Sequence, residues 1–398
     1  MSGDPILPAG DTRGPSKGGS RGPSGGPDGR KHVPRPLLLG GILLPLALLT
    51  FSCSGCSPIY VARAGWTEAK ILAGRRPIPE VLEDPATDEA TRHKLLLTRQ
   101  ARAFAIHMMG LDAGDSYTTF TRVDDEVLAW IISAAYPDRL ESKTWWFPIV
   151  GRVPYRGYAS RGAAEKAERK LAKEGLDTYL RPTTAFSTLG WFSDPLLSTL
   201  LVYDDVNLVE TVLHELSHNH LWVPDFTRFN ESFATFVGHA GAIRFFCGPG
   251  ETPSDPENCE KARTRWAEYQ EFSAFLDVFV GELQAVYARA DLAPGEKVAA
   301  REELLVATRE EYARIPAPDP HLRLVTSFLH APLNNAILLG RMRYSHRLPD
   351  FQALLDAHEG DLPATIETLK RGAKGLEDPF QILPTARGRS HEGPASSR

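Results

Sequence analysis

With 398 residues, 42% of them hydrophobic and 24% charged, the chain has a globular composition and enough length for a large core in one or two domains. A net charge of −5 argues against nucleic-acid binding as the main function. Residues 1–36 hold six basic and three acidic residues, a net +3 that leaves −8 for the rest. This leader is rich in Gly, Pro and Ser, has few bulky apolar residues, and is expected to be disordered.

No charge stands between Arg35 and Arg63. The apolar run from Leu37 to Ser52 has about the length of a signal-peptide core and is short for a membrane span. The "CSGC" that follows resembles the end of a bacterial lipoprotein signal, where the cysteine after the cut carries the lipid. Cys56, behind Ser54 and Gly55, fits that role best and Cys53 less well; an uncleaved membrane anchor is the alternative. Residues 37–56 are therefore read as a signal and lipidation segment. The expected location is the bacterial cell envelope, with the protein held at the membrane and facing the periplasm or exterior. Of the four cysteines this leaves Cys247 and Cys259, which flank the loop-like "GPGETPSDPEN" and are expected to form a disulfide.

"GWTEAKILAGRRPIPEVLED" and "ATRHKLLLTRQARAFAIHMMG" carry apolar residues at helical spacing, with Gly110 as a stop. "SYTTFTRVDDEVLAWIISAAY" reads as strands, and "TWWFPIVGRVPYRGYAS" follows with Gly and Pro as turn signals. "RGAAEKAERKLAKEGLD" is a charged helix ending near Gly175. "DTYLRPTTAFSTLGWFSDPLLSTLLVY" reads as strand, turn and short strand, and "DDVNLVETVLHELSHNHLWV" as a helix. After Cys259 come two long helices, then one or two more across "TSFLHAPLNNAILLGRMRYSHRLPDFQALLDAHEG". One body domain is expected over 57–380, with a polar, disordered tail over 381–398. The fold class is α+β, a small, mostly antiparallel sheet packed on a predominantly helical half.

At the seam of the two halves stands "HELSH". His214 and His218 are four apart, so on a helix they share a face and can grip one metal ion. Zinc, one ion per chain, is the usual choice for neutral imidazoles. Glu215 is turned by about 100° and is free to take a proton from water. A zinc hydrolase needs a third protein ligand and an open position. Leu221 and Pro224 stand where one zincin class has its Gly and third His. Glu231 in "NESFA", twelve residues beyond His218, matches the class that takes a glutamate from the next helix. Asp225 is the runner-up ligand; its other readings are a turn residue or the cap of the Glu231 helix. Asn230 reads as a helix cap. His220, two places from His218, points away.

An oxyanion donor is also needed. Tyr344 is the first choice, with Tyr155, Arg156, Tyr158 and His346 as others; Tyr155 and Tyr158 also read as structural strand residues. Asn334 and Asn335 in "PLNNA" are read as packing or capping. "AFSTLGWFSDP" (185–195) can present an edge strand to a peptide. Ser187 lacks the partners of a nucleophile.

"WWFPIVGRVPYRGY", "AFSTLGWFSDPLLS", "HELSH" and "FNESFATFVGHAGAIRF", in this order behind a lipoprotein-like leader, resemble a family of bacterial aminopeptidase-like proteins with a zincin-like site. The resemblance runs from roughly residue 55 to 375. It implies zinc at His214, His218 and Glu231, a catalytic Glu215, and an envelope lipoprotein acting on peptides. The Gly-x-Met-Glu-Asn stretch that clamps the substrate amine in zinc aminopeptidases is missing from this chain. The other expectations are a non-catalytic envelope protein with a structural or vestigial metal, and a zinc amidase or endopeptidase acting on cell-wall peptides.

Overall fold

The computed structural model describes residues 69–123, 127–147, 151–183, 194–248, 253–315 and 320–384. The leader 1–36, the signal segment 37–56 with Cys53 and Cys56, and residues 184–193, which hold Ser187 and most of the expected edge strand, lie outside the described residues. Among the described residues, no helix is long and apolar enough to cross a membrane.

The first half runs β1 (Arg76–Pro77), α1 (Ile78–Glu83), α2 (Glu89–Met109), β2 (Thr119–Thr121), β3 (Ala129–Ala135), β4 (Trp145–Phe147), β5 (Gly151–Val153), β6 (Tyr155–Tyr158), α3 (Arg161–Lys173), β7 (Asp177–Thr183) and β8 (Leu196–Leu197). The second is helical: α4 (Asp205–His220), α5 (Thr227–Cys247), α6 (Pro256–Ala288), α7 (Pro294–Ala313), α8 (Arg323–His330), α9 (Asn335–Met342), α10 (Leu348–Ala357) and α11 (Leu362–Gly372). The class is α+β with helix dominant.

Several boundaries differ from the sequence expectation, each for a local reason. The expected first helix is interrupted at Arg76–Pro77, because proline cannot sit inside a helix. The strands sort into three small sheets: antiparallel β6-β3-β7, the ribbon β4-β5, and β1-β2-β8, whose β2–β8 pair is parallel. The last helical stretch is four short helices. Asn334 caps α9 through Ile337 N–H, Arg347 turns the chain with φ 56° before α10, and Gly360 does so with φ 78° before α11. The ordered end reaches past residue 380, since Leu383 is buried. Gly110 and Gly175 do adopt the left-handed conformations, φ 70° and 78°, that end α2 and follow α3.

The three-stranded sheet has two distinct faces because side chains alternate along a strand. Ile132 pairs with Arg156 and Leu180, and Ser133 with Tyr155 and Tyr179. Ile132, Leu180 and Tyr158 pack with Leu171 of α3. The opposite face therefore carries Ser133, Tyr155, Tyr179 and Arg181 and looks toward α9, where Gly340 lies against the Tyr179 ring.

Helix α5 is the centre of the helical half. Every residue from Phe229 to Ala242 is buried except Glu231. Phe229, Phe233 and Phe236 join Leu213 of α4 and Phe351 of α10 in the main core. A helix buried all round needs small residues where its neighbours come close. A Cβ on Gly238 would stand 2.7 Å from the Glu210 carbonyl oxygen and 3.4 Å from His214 Cβ. Gly241 meets Leu213 and Met109 in the same way. At its far end α5 is tied to α6 by a disulfide between Cys247 and Cys259.

This close approach yields a paired expectation. Overpacking costs about 1–3 kcal/mol, and removing a helix glycine returns about 1. Gly238→Ala should therefore lower the thermal midpoint, by up to about 2 kcal/mol of stability. Gly281→Ala, on α6 with open space around its Cβ position, should raise it by about 0.5–1 kcal/mol. Equal midpoints for both variants would remove the steric argument.

Candidate metal centre

Asp204 opens α4 by accepting the Asn207 N–H, and Val206, Leu208, Val209, Val212, Leu213 and Leu216 bury its core face. His214 and His218 lie one turn apart beside α5, with ring centroids 5.0 Å apart at 88°. The chain leaves α4 at His220 and reverses over residues 221–226. Asp225 sits there with φ 68° as a turn residue, outside the group of close metal-ligating atoms. Asn230 is not a cap. Helix α5 already begins at Thr227, so Asn230 reaches back, accepting from Val223 N–H at 2.9 Å and donating to Val223 C=O at 2.8 Å. This fully buried amide fixes the turn and, one residue on, the direction of Glu231.

Glu231 Oε2 lies 3.3 Å from His214 Nε2 and 3.5 Å from His218 Nε2. Ligand atoms of the three side chains all fall within 4.8 Å of one another, so one ion can touch all three. Burial works to raise the Glu231 carboxyl, but the two imidazoles outweigh it and hold the group far below the usual carboxylate range. Trp222 covers the His218 ring at 5.5 Å. His220 faces elsewhere: its Nδ1 accepts the Asp112 N–H at 3.1 Å.

Glu215 stands beside this group and outside it. Its Oε2 is buried and has no hydrogen-bond partner among the described residues. Burial pushes its carboxyl upward; His214 and His218 pull it down, Glu231 and Asp194 push it up, and the net shift is upward. Tyr117, buried and held with φ 59°, is close enough to Glu215 for that charge, after burial, to raise its hydroxyl. Sequence reasoning missed Tyr117, because nothing local marks a tyrosine nearly a hundred residues upstream.

Two of the candidate oxyanion donors reach the site. The Tyr344 ring lies 6.2 Å from the His214 ring, and the Glu231 charge together with burial pushes its hydroxyl far up. Tyr155 comes from the sheet face toward α9; burial, then Glu231, raises its hydroxyl. Arg156 and Tyr158 lie on the other face of β6, against α3. His346 is engaged by Asp277, at 2.6 Å from its Nδ1. The two asparagines are structural. Asn334 is the cap of α9, and Asn335, fully buried, donates to the carbonyls of Tyr136, Pro137 and Arg139 and accepts from Tyr287.

One turn before His214, a buried ionic cluster locks the two ligand helices to α6. His239 Nδ1 is 2.9 Å from Glu210 Oε1, and Arg265 holds Glu210 Oε2 at 3.1 Å. The His239 ring stacks on Trp266 at 5.4 Å. "HAGA" (239–242) thus supplies both the small residues of the helix contact and one member of this cluster.

No curated protein and no solved structure matches the chain. A family model does match, over residues 59–378, which is most of the chain, and takes in the sheet, both ligand helices and Tyr344. The chain belongs to the family described as "Putative aminopeptidase".

Proposed function

We propose that this family member is a zinc-dependent peptidase of the zincin type, tethered at the bacterial envelope through lipid on Cys56. His214, His218 and Glu231 would hold one zinc ion, Glu215 is the general base, and Tyr344 is the first oxyanion donor, with Tyr155 beside it. The observation that carries this reading is the spacing of the donor atoms. Ligand atoms about 2.0–2.2 Å from a tetrahedral ion stand about 3.3–3.6 Å apart. Glu231 Oε2 lies at 3.3 and 3.5 Å from the two imidazole nitrogens. The buried, unpartnered Glu215 oxygen next to them has no part in a structural site and suits a base.

When bound, zinc supplies a Lewis acid that polarises a carbonyl and acidifies water. Glu215 takes the proton from the attacking water at a carboxylate oxygen. The water oxygen bonds to the peptide carbonyl carbon, the C–N bond breaks, and Glu215 returns the proton to the leaving amine. The Tyr344 hydroxyl keeps its proton next to Glu231 and can donate it in a hydrogen bond to the developing oxyanion. The Cys247–Cys259 disulfide supports an oxidising compartment, in line with export.

The test is metal analysis and a peptide-library digest with full-length protein purified in detergent. About one zinc per chain is expected, with peptide cleavage that a chelator stops and added zinc restores. A zinc-free protein, or cleavage indifferent to the chelator, would overturn the reading.

A further inference from the structure

A cavity of about 340 Å³ opens beside the metal centre, and Tyr344 lines it. Its lining combines Arg181, Arg341 and Tyr344 with Phe272, Phe328 and Ile337. Elsewhere in this molecule, interior arginines are matched by acids. Arg301 meets Asp177 at 2.6 Å, and Arg265 meets Glu210 at 3.1 Å. Arg181 and Arg341 have neither an ion pair nor a side-chain hydrogen bond among the described residues. Next to Tyr344, Arg343 is only 7% exposed, and its guanidinium contacts the Tyr155 ring at 5.2 Å with no carboxylate partner among the described residues.

Arg181 and Arg341 thus line the cavity with Tyr344, and Arg343 lies against Tyr155; the carboxylate whose charge reaches both tyrosines, Glu231, is itself engaged by His214 and His218. Arg343 is buried, Arg181 half-buried and Arg341 exposed at the cavity mouth, so the cavity presents unpaired donor forks that an anion arriving from outside can engage. The planar donor fork of arginine matches a carboxylate. The volume is at the small end of ligand pockets, roughly 300–1,000 Å³. Its apolar lining suits a hydrophobic side chain attached to that carboxylate. Tyr344 is shared by the cavity and the metal centre. An extended chain advances only about 3.3–3.6 Å per residue, so a group held here lies within a residue or two of the reacting bond.

We propose, resting on the peptidase reading above, that Arg181 and Arg341, with Arg343 behind them, form a subsite for the free carboxyl terminus of a short peptide with an apolar last residue. The substrate is then selected by its end rather than by an internal sequence.

The experiment compares three peptides that share an Ala-Ala start: Ala-Ala-Leu with a free carboxylate, Ala-Ala-Leu amide, and Ala-Ala-Glu amide. Cleavage by the zinc-loaded full chain is followed by mass spectrometry, and binding to the Glu215→Gln protein by calorimetry. The free acid should be cut with a kcat/KM at least tenfold above that of either amide and should bind correspondingly tighter. Arg181→Gln and Arg341→Gln should each shrink that ratio toward one. Equal handling of acid and amide overturns the subsite. So does a preference for the Glu amide, which would assign the arginines to an acidic side chain. If no peptide is cleaved, the peptidase reading falls. The subsite then stands on the binding ratio alone, or falls with it if acid and amide bind equally.

Discussion

Glu215→Gln is expected to keep its zinc and lose peptide hydrolysis. The replacement is nearly isosteric, and Glu215 lies outside the His214–His218–Glu231 group, so metal content should stay at the wild-type level. What disappears is the proton acceptor. General base catalysis contributes about 10²–10⁴-fold, and the loss in kcat should reach at least that range. The amide also removes a carboxylate whose buried Oε2 has no hydrogen-bond partner among the described residues, and whose burial already works against its charge. The variant should therefore fold at least as stably as the parent, by thermal midpoint. That combination separates a catalytic glutamate from a structural one. Full activity in Glu215→Gln would end the mechanism, and loss of zinc would show that Glu215 is itself a ligand.

Glu231→Ala should have the second large effect, on the metal rather than the chemistry. Removing a partner outside the ligand sphere typically costs about 10–100-fold in metal affinity. Removing one of three ligands should exceed that range, read by competition with a chromogenic chelator. Activity should fall with occupancy. Glu231 sits at the single opening in an otherwise buried stretch of α5, so truncation leaves the surrounding core contacts in place. Circular dichroism should show an intact helical fold, which distinguishes ligand loss from unfolding. Unchanged metal affinity would point to another third ligand.

The part of the site that local geometry builds was legible in the sequence. His214 and His218 need only a helix to share a face, and Glu231 needs only a short reversal. The left-handed glycines at 110 and 175 follow from backbone chemistry alone. What was not legible depends on parity and distance. Tyr155 and Tyr158 look alike in "PYRGY", yet the β3 register sends them to opposite faces, and only Tyr155 comes near enough to Glu231 for that charge to raise its hydroxyl. Arg181 joins them from β7 through the same register, with no local signal. Asn230 was misread because an asparagine before a helical pattern looks like a cap when the helix start is placed four residues late. The single sheet expected from the strand patterns is three small sheets among the described residues, because which strands pair is decided by contacts distant in sequence.

The position of Glu231 on α5 joins two equilibria. The core closes around this helix, so any ligand that engages Glu231 binds the folded chain and not the unfolded one. Such a ligand adds RT ln(1 + [L]/Kd) to stability, about 2.7 kcal/mol at a hundredfold excess over Kd. By the same linkage, a substitution that loosens α5 lowers the apparent affinity only by the fraction of chain it leaves unfolded. A gain in affinity therefore appears as a gain in folding stability, read as a ligand-dependent rise in the thermal midpoint.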